Sequence, residues 1–155
     1  MRLTIAFVSL LLFAGAAYAD SNTAQPMLPV ETISIDTAKG PVRLKVELAT
    51  TWPQQEAGLM FRRHMAAGAG MLFDFHQPTQ MAFWMKNTYL PLDMLFIRAD
   101  GTVSSIAAKA KPLSTQSIPS TEPVQAVLEI NAGQAAALGL REGAKVHSTI
   151  FSGGR

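Results

Sequence analysis

Early in the chain, apolar and polar residues alternate with a period of two. Ile33 and Ile35 have polar neighbours, and Val42, Leu44, Val46 and Leu48 are separated by Arg43, Lys45 and Glu47. That spacing sends the aliphatic side chains to one face and the charges to the other. Thr37-Ala38-Lys39-Gly40-Pro41 lies between the two runs, so 31–35 and 42–48 read as a hairpin with one wet side.

Farther on, Thr50 to Ala57 reads as a short helix, with Thr50 or Thr51 as cap, Pro53 in the first turn and Gly58 at the exit. Within the mixed stretch 59–80, Gly70-Met71-Leu72-Phe73 reads as a short buried strand. Two further runs, 81–86 and 92–98, flank Asn87 to Pro91, and Asp100-Gly101 turns the second of them into a strand beginning at Thr102. A polar loop is expected over 107–121. Val124, Ala126, Leu128 and Ile130 alternate again, Asn131 is placed to cap a helix over 132–138 that ends at Gly139, and a last strand runs from Lys145 to Phe151. Seven or eight short strands with two short helices predict a mainly β fold, an antiparallel sandwich or distorted, jelly-roll-like barrel. The connections look too short for regular βαβ crossovers.

Composition narrows the chemistry. The chain has no cysteine, so disulfides, thiolate metal sites and thiol redox work are excluded. Arg2, the apolar stretch Leu3 to Ala17, and Ala17-Tyr18-Ala19 predict a signal peptide over residues 1–19, cleaved before Asp20. The apolar stretch is short for a bilayer span, so no stable membrane anchor is expected after cleavage, and the product would be periplasmic or extracellular. Residues 20–30 read as a flexible tether, 31–151 as a single β-rich domain and 152–155 as a tail. Net charge is +2 over the whole chain and falls further once Arg2 is removed, which gives no electrostatic case for nucleic acid.

Several segments carry a resemblance. Gly58-Leu59-Met60-Phe61-Arg62, Gly70-Met71-Leu72-Phe73, the long run from Phe83 to Ile97, Val127-Leu128-Glu129-Ile130 with Gly133, and Leu138-Gly139-Leu140 with Gly143 resemble the DUF192 family, also called UPF0127. Its members are small, largely uncharacterised and often exported. The resemblance implies a compact β domain of irregular barrel type, and it implies no activity, cofactor or catalytic residue. Arg62, Trp84, Lys86, Asn87, Thr88, Asp93 and Glu129 fall on matching motif positions.

On their own chemistry, Trp84, Lys86 and Thr88 would share one face of an extended segment, with Asn87 on the other. Asp93 lies between Leu92 and Met94, where a charge is costly unless Lys86, Arg62, Arg63 or backbone amides pair with it. Two readings follow. In one, these residues form an internal polar network. In the other, Arg62, Trp84, Lys86, Asn87, Thr88 and Asp93 line a pocket for a small polar ligand such as a sugar or short peptide. Glu129 is expected in a structural role, paired with an arginine or accepting local amides.

The reading that follows is a non-enzymatic binding or accessory module without cofactor or metal. One alternative is a small hydrolase using Asp93 with Lys86, His64 or His76. Another is a structural or stress-related partner of an exported protein. Met60, Met65 and Met81 with the histidines raise a copper site, but Met71, Met85 and Met94 sit in apolar runs where thioethers fill core space, and no stoichiometric copper is expected.

Overall fold

The structure is a computed structural model that describes residues 22–151. The expected signal peptide and C-terminal tail lie outside the described residues. Among the described residues nine strands are present: β1 (Val30–Ile35), β2 (Val42–Ala49), β3 (Ala69–Thr79), β4 (Ala82–Phe83), β5 (Leu92–Ile97), β6 (Val103–Ala110), β7 (Ile118–Pro119), β8 (Val124–Asn131) and β9 (Val146–His147). Two short helices join them, α1 (Trp52–Ala57) and α2 (Gln134–Leu138), with a 3-10 turn at Thr149–Phe151. Seven strands form one sheet in the order β6-β5-β8-β3-β2-β1-β9, while β4 and β7 pair separately.

The alternating segments form the predicted hairpin, with Ile33 opposite Leu44 and Ile35 opposite Val42. Gly40 takes φ 104° in its turn, a left-handed value that suits a residue without Cβ. The sheet then curls until its ends meet. Thr102 bridges Lys145, and backbone bonds run from Val103 N to Ala144 O at 2.9 Å and from Val146 N to Gly101 O at 2.8 Å. The result is a distorted barrel, closed along a short seam between the start of β6 and the start of β9.

One neighbouring pair departs from the antiparallel expectation. β2 and β3 are parallel, with Val46 beside Gly70 and Leu48 beside Leu72. The chain makes this crossover in residues 50–68 because α1 is only six residues long. Gln54 Oε1 accepts from the amides of Thr50 and Thr51 at 3.0 and 3.1 Å, starting the helix, and Gly58 ends it with φ 46°. Gln55 then ties the helix to both strands, donating to Ala49 O at 3.3 Å and Asp74 O at 2.6 Å.

β3, β5 and β8 bury both faces, which explains their nearly continuous apolar runs. Ile33, Leu44, Leu72, Leu95 and Leu128 belong to the core inside the curl. Met71, Phe73, Met94, Phe96 and Val127 belong to a second core on the outer face, with Leu59 and Met85 among the residues that cover it. Met71, Met85 and Met94 are fully buried there, as their apolar surroundings predict. Gly70 is required at the join, since a Cβ would stand 2.6 Å from Glu129 O.

Three local expectations are corrected. Of 81–86 only Ala82–Phe83 is a strand, because the chain turns at Met85, whose amide bonds Ser114 O, and Asn87 takes φ 55°. Its partner β7 lies inside 107–121, expected as a loop, and β6 also reaches into that range, to Ala110. Asn131 does not cap the second helix: it ends β8 and donates to Met65 O at 2.9 Å, leaving Gly133 at the helix start. The described part of the expected tether lies against the domain. Gln25 Nε2 donates to Gly58 O at 2.8 Å, and Leu28 N to Glu47 Oε2 at 2.9 Å.

Candidate functional site

The segments that cover the outer core leave a cleft of about 360 Å³ between them, at the small end of the range for small-molecule sites. Trp52 and Glu56 on α1 stand on one side of its mouth, and Ala82 and Trp84 on the other. Trp52 is 72% exposed and Trp84 49% exposed. Inward, Met60, Phe75, Met81 and Phe83 make apolar walls, and Leu59, Phe73, Thr88 and Glu129 form the buried end. Phe83 anchors the aromatic wall, meeting Phe73 edge-on at 5.2 Å and Phe75 at 6.2 Å.

Glu129 is the exceptional group. Strand register sets it beside Met71 on β3 and Met94 on β5, in the middle of the outer core. The residue is 4% exposed, and among the described residues no hydrogen bond or ion pair reaches its carboxyl. Burial alone pushes its pKa from the ordinary glutamate value up to about 8. At neutral pH the group is therefore mostly a neutral acid. The expected arginine partner is engaged elsewhere, and no amide takes its place.

The residues expected to act together are distributed among different places. Arg62 grips Glu47 in a bidentate pair at 2.6 and 2.8 Å, both side chains largely buried, and so fastens the 59–62 loop to β2. Asp93 is 1% exposed on the inner face, where its carboxylate accepts from Lys109 N at 2.8 Å and Ala135 N at 3.0 Å. The first bond supports a bulge in β6, where Lys109 takes φ 55°, and the second caps α2 in place of Asn131. Each Asp93 oxygen thus accepts one backbone amide of the framework, and among the described residues no bond joins Asp93 to Lys86 or a histidine. His64 is exposed, and His76, in the C-terminal half of β3, bonds Asp74 and Thr50 O.

Trp84 and Lys86 do stay together, with the ammonium 5.2 Å from the indole ring centre. Thr88 turns inward to the cleft, its hydroxyl donating to Lys86 O at 3.1 Å. Asn87 holds the turn, its carbonyl accepting from Phe61 N at 2.8 Å. From the candidate set the structure brings Trp84, Thr88 and Glu129 to one cleft and places Arg62 and Asp93 in the framework. Trp52, Phe75 and Phe83 were not singled out by sequence reasoning, and Met60 entered it only as a copper candidate. The hint was the exposed-looking Trp52 inside a helix signal. Among the described residues, no group of three or more metal-holding side chains gathers, and no helix is long and apolar enough to cross a membrane.

A family model, DUF192, described as Uncharacterized ACR, matches residues 33–148. Two crystal structures are similar over nearly their whole length. One, from Sinorhizobium meliloti 1021, is of a protein provisionally described as a transcription regulator. It is 46% identical with a TM-score of 0.78, the match covering 81% of this chain and 98% of that one. The other, a protein of unknown function from Novosphingobium aromaticivorans DSM 12444, is 38% identical with a TM-score of 0.77, over 86% and 97% of the two chains. No curated protein matches.

Proposed function

The chain belongs to the DUF192 family, a family without an assigned activity, and from the cleft itself we propose that it is an exported, non-enzymatic binding module for a small, mostly apolar ligand. The observation that carries this reading is Glu129: a carboxyl kept at the buried end of an apolar cleft with no partner among the described residues. Such an arrangement costs stability, and perturbed, unpartnered groups in clefts are concentrated at functional sites. A sugar would need more polar contacts than Gln55, Thr88 and two carboxyls supply, so the walls favour a ligand with a hydrocarbon body.

The description given to the Sinorhizobium meliloti protein does not transfer readily. α1 and α2 have six and five residues, shorter than a helix that reads a major groove, and the chain carries little net charge. Thermal-shift screening of a fragment library against the wild-type protein and Met60→Trp, which fills the cleft, tests the proposal. Ligands should stabilise the wild type and leave the filled variant unmoved. A library that shifts both proteins equally, or neither, removes the cleft as the site.

A further inference from the structure

The cleft also has an electrostatic sign. Among the described residues, the ionisable side chains that line it are Glu56 at the mouth and Glu129 at the buried end, both carboxyls. Its walls present aromatic rings, whose faces attract positive charge. A cation already rests on one of these rings, since Lys86 Nζ stands 5.2 Å from the Trp84 centroid. Lysine, arginine and histidine are absent from the lining, Lys86 standing at the Trp84 ring by the mouth, so an anionic group at the buried end would meet no counter-charge. An inorganic cation needs several oxygen ligands, and Glu129 supplies one carboxyl flanked by Met71 and Met94. An organic ammonium group uses the site fully, because its hydrocarbon body meets Phe73, Phe75 and Phe83 while its charge meets Glu129.

We infer that the ligand of this cleft is a small organic cation, an ammonium group on an apolar or aromatic body, with the Glu129 carboxylate as its buried counter-ion. The inference rests on the binding reading above and narrows it to one ligand class. Strand register sets Met71 from β3 and Met94 from β5 beside Glu129; the cleft also takes Thr88 from the 84–90 turn and, from α1, the titratable Glu56, while Lys86 of that turn stands at the Trp84 ring. With burial holding the proton on Glu129, an entering cation must displace it, so binding releases a proton and tightens as pH rises.

Calorimetric titration with an isosteric series of 2-phenylethylammonium, 2-phenylethanol and phenylacetate at about pH 8.5 tests the assignment. The ammonium should bind the wild-type protein about tenfold or more tighter than the alcohol, with phenylacetate weakest. Glu129→Gln should bring the ammonium to within about twofold of the alcohol while leaving alcohol binding in place, which shows the cleft intact. With benzyltrimethylammonium, whose charge is permanent, wild-type affinity should rise by close to tenfold per pH unit between about pH 5 and 7 and level off above about pH 8. Alcohol binding equal to or tighter than ammonium binding overturns the cation assignment and leaves the cleft reading standing. The same holds for a pH profile that Glu129→Gln does not flatten. Binding by none of the three compounds overturns both.

Discussion

Asp93 and Glu129 sit one register step apart on adjacent central strands, Asp93 opposite Ile130 and Glu129 opposite Met94, so their side chains leave the sheet on opposite faces. Each is a carboxyl buried among apolar residues. The one on the inner face is satisfied by two backbone amides, and the one on the outer face by none among the described residues. The two positions should therefore respond to substitution in opposite ways.

Asp93→Ala strands the amides of Lys109 and Ala135 and should cost about 2–5 kcal/mol in urea denaturation. Asp93→Asn should recover only part of this, because its one amide oxygen can face one donor while its NH2 group opposes the other. Stability unchanged in both variants would show that the carboxylate supports neither the β6 bulge nor α2.

Glu129 gives the reverse sign. Its folded-state pKa of about 8 lies above the ordinary value of 4.5, so between those limits the native state holds a proton that the unfolded chain has lost. Stability should fall as pH rises through that window and level off above it. Glu129→Gln should flatten the curve and exceed the wild type in Tm at about pH 9. Asp100, lowered by the Thr102 amide, and Glu122, lowered by Arg98, lose their stabilising effect only on acidification below the usual carboxylate range, outside this window. A wild-type Tm that stays level from pH 5 to 8 would contradict the burial of an unpaired carboxyl.

Arg62→Ala leaves Glu47 with the Leu28 amide as its remaining partner, and should cost about 3 kcal/mol. Arg62→Lys should restore less than half of the loss, since a point charge cannot match both oxygens. Limited proteolysis offers a second readout: cleavage within residues 25–30 should accelerate in both variants.

Gly70→Ala places a methyl 2.6 Å from Glu129 O and 3.0 Å from Ile130 Cγ2, in the middle of the sheet. Overpacking of this kind costs about 1–3 kcal/mol, and here the displaced strand carries the cleft carboxyl. Any cleft ligand should bind this variant more weakly than the wild type.

The hairpin of β1 and β2 was legible because its alternation is strict, and the apolar runs at 71–73 and 92–97 were legible as strands. The parallel crossover was not, because α1 is too short to show a helical period and only its caps and Pro53 mark it. Residues 81–86 looked extended from composition, but β-type residues also serve where a turn packs onto a core, as Met85 does. Glu129 was misjudged for a related reason. The alternation Ala126, Leu128, Ile130 assigns it to the other face, which in a one-sided sheet faces water and finds partners easily. Here α1 and the 81–91 segment cover that face, and only tertiary placement reveals that the one cation they carry, Lys86, rests on the Trp84 ring and not beside the carboxyl.

The barrel seam sets an order on assembly. β9, two residues long, pairs with β1, while the adjacent residues 143–146 bond to the start of β6, so one short stretch near the C-terminus joins both ends of the sheet. These pairings link residues 34 and 147 and residues 102 and 145, separations that make closure a late, slow event. Until residues 143–147 are free to dock, a growing chain carries two open strand edges, the usual starting points for mispairing between molecules. The closing segment thus protects the sheet from its own copies as well as completing it.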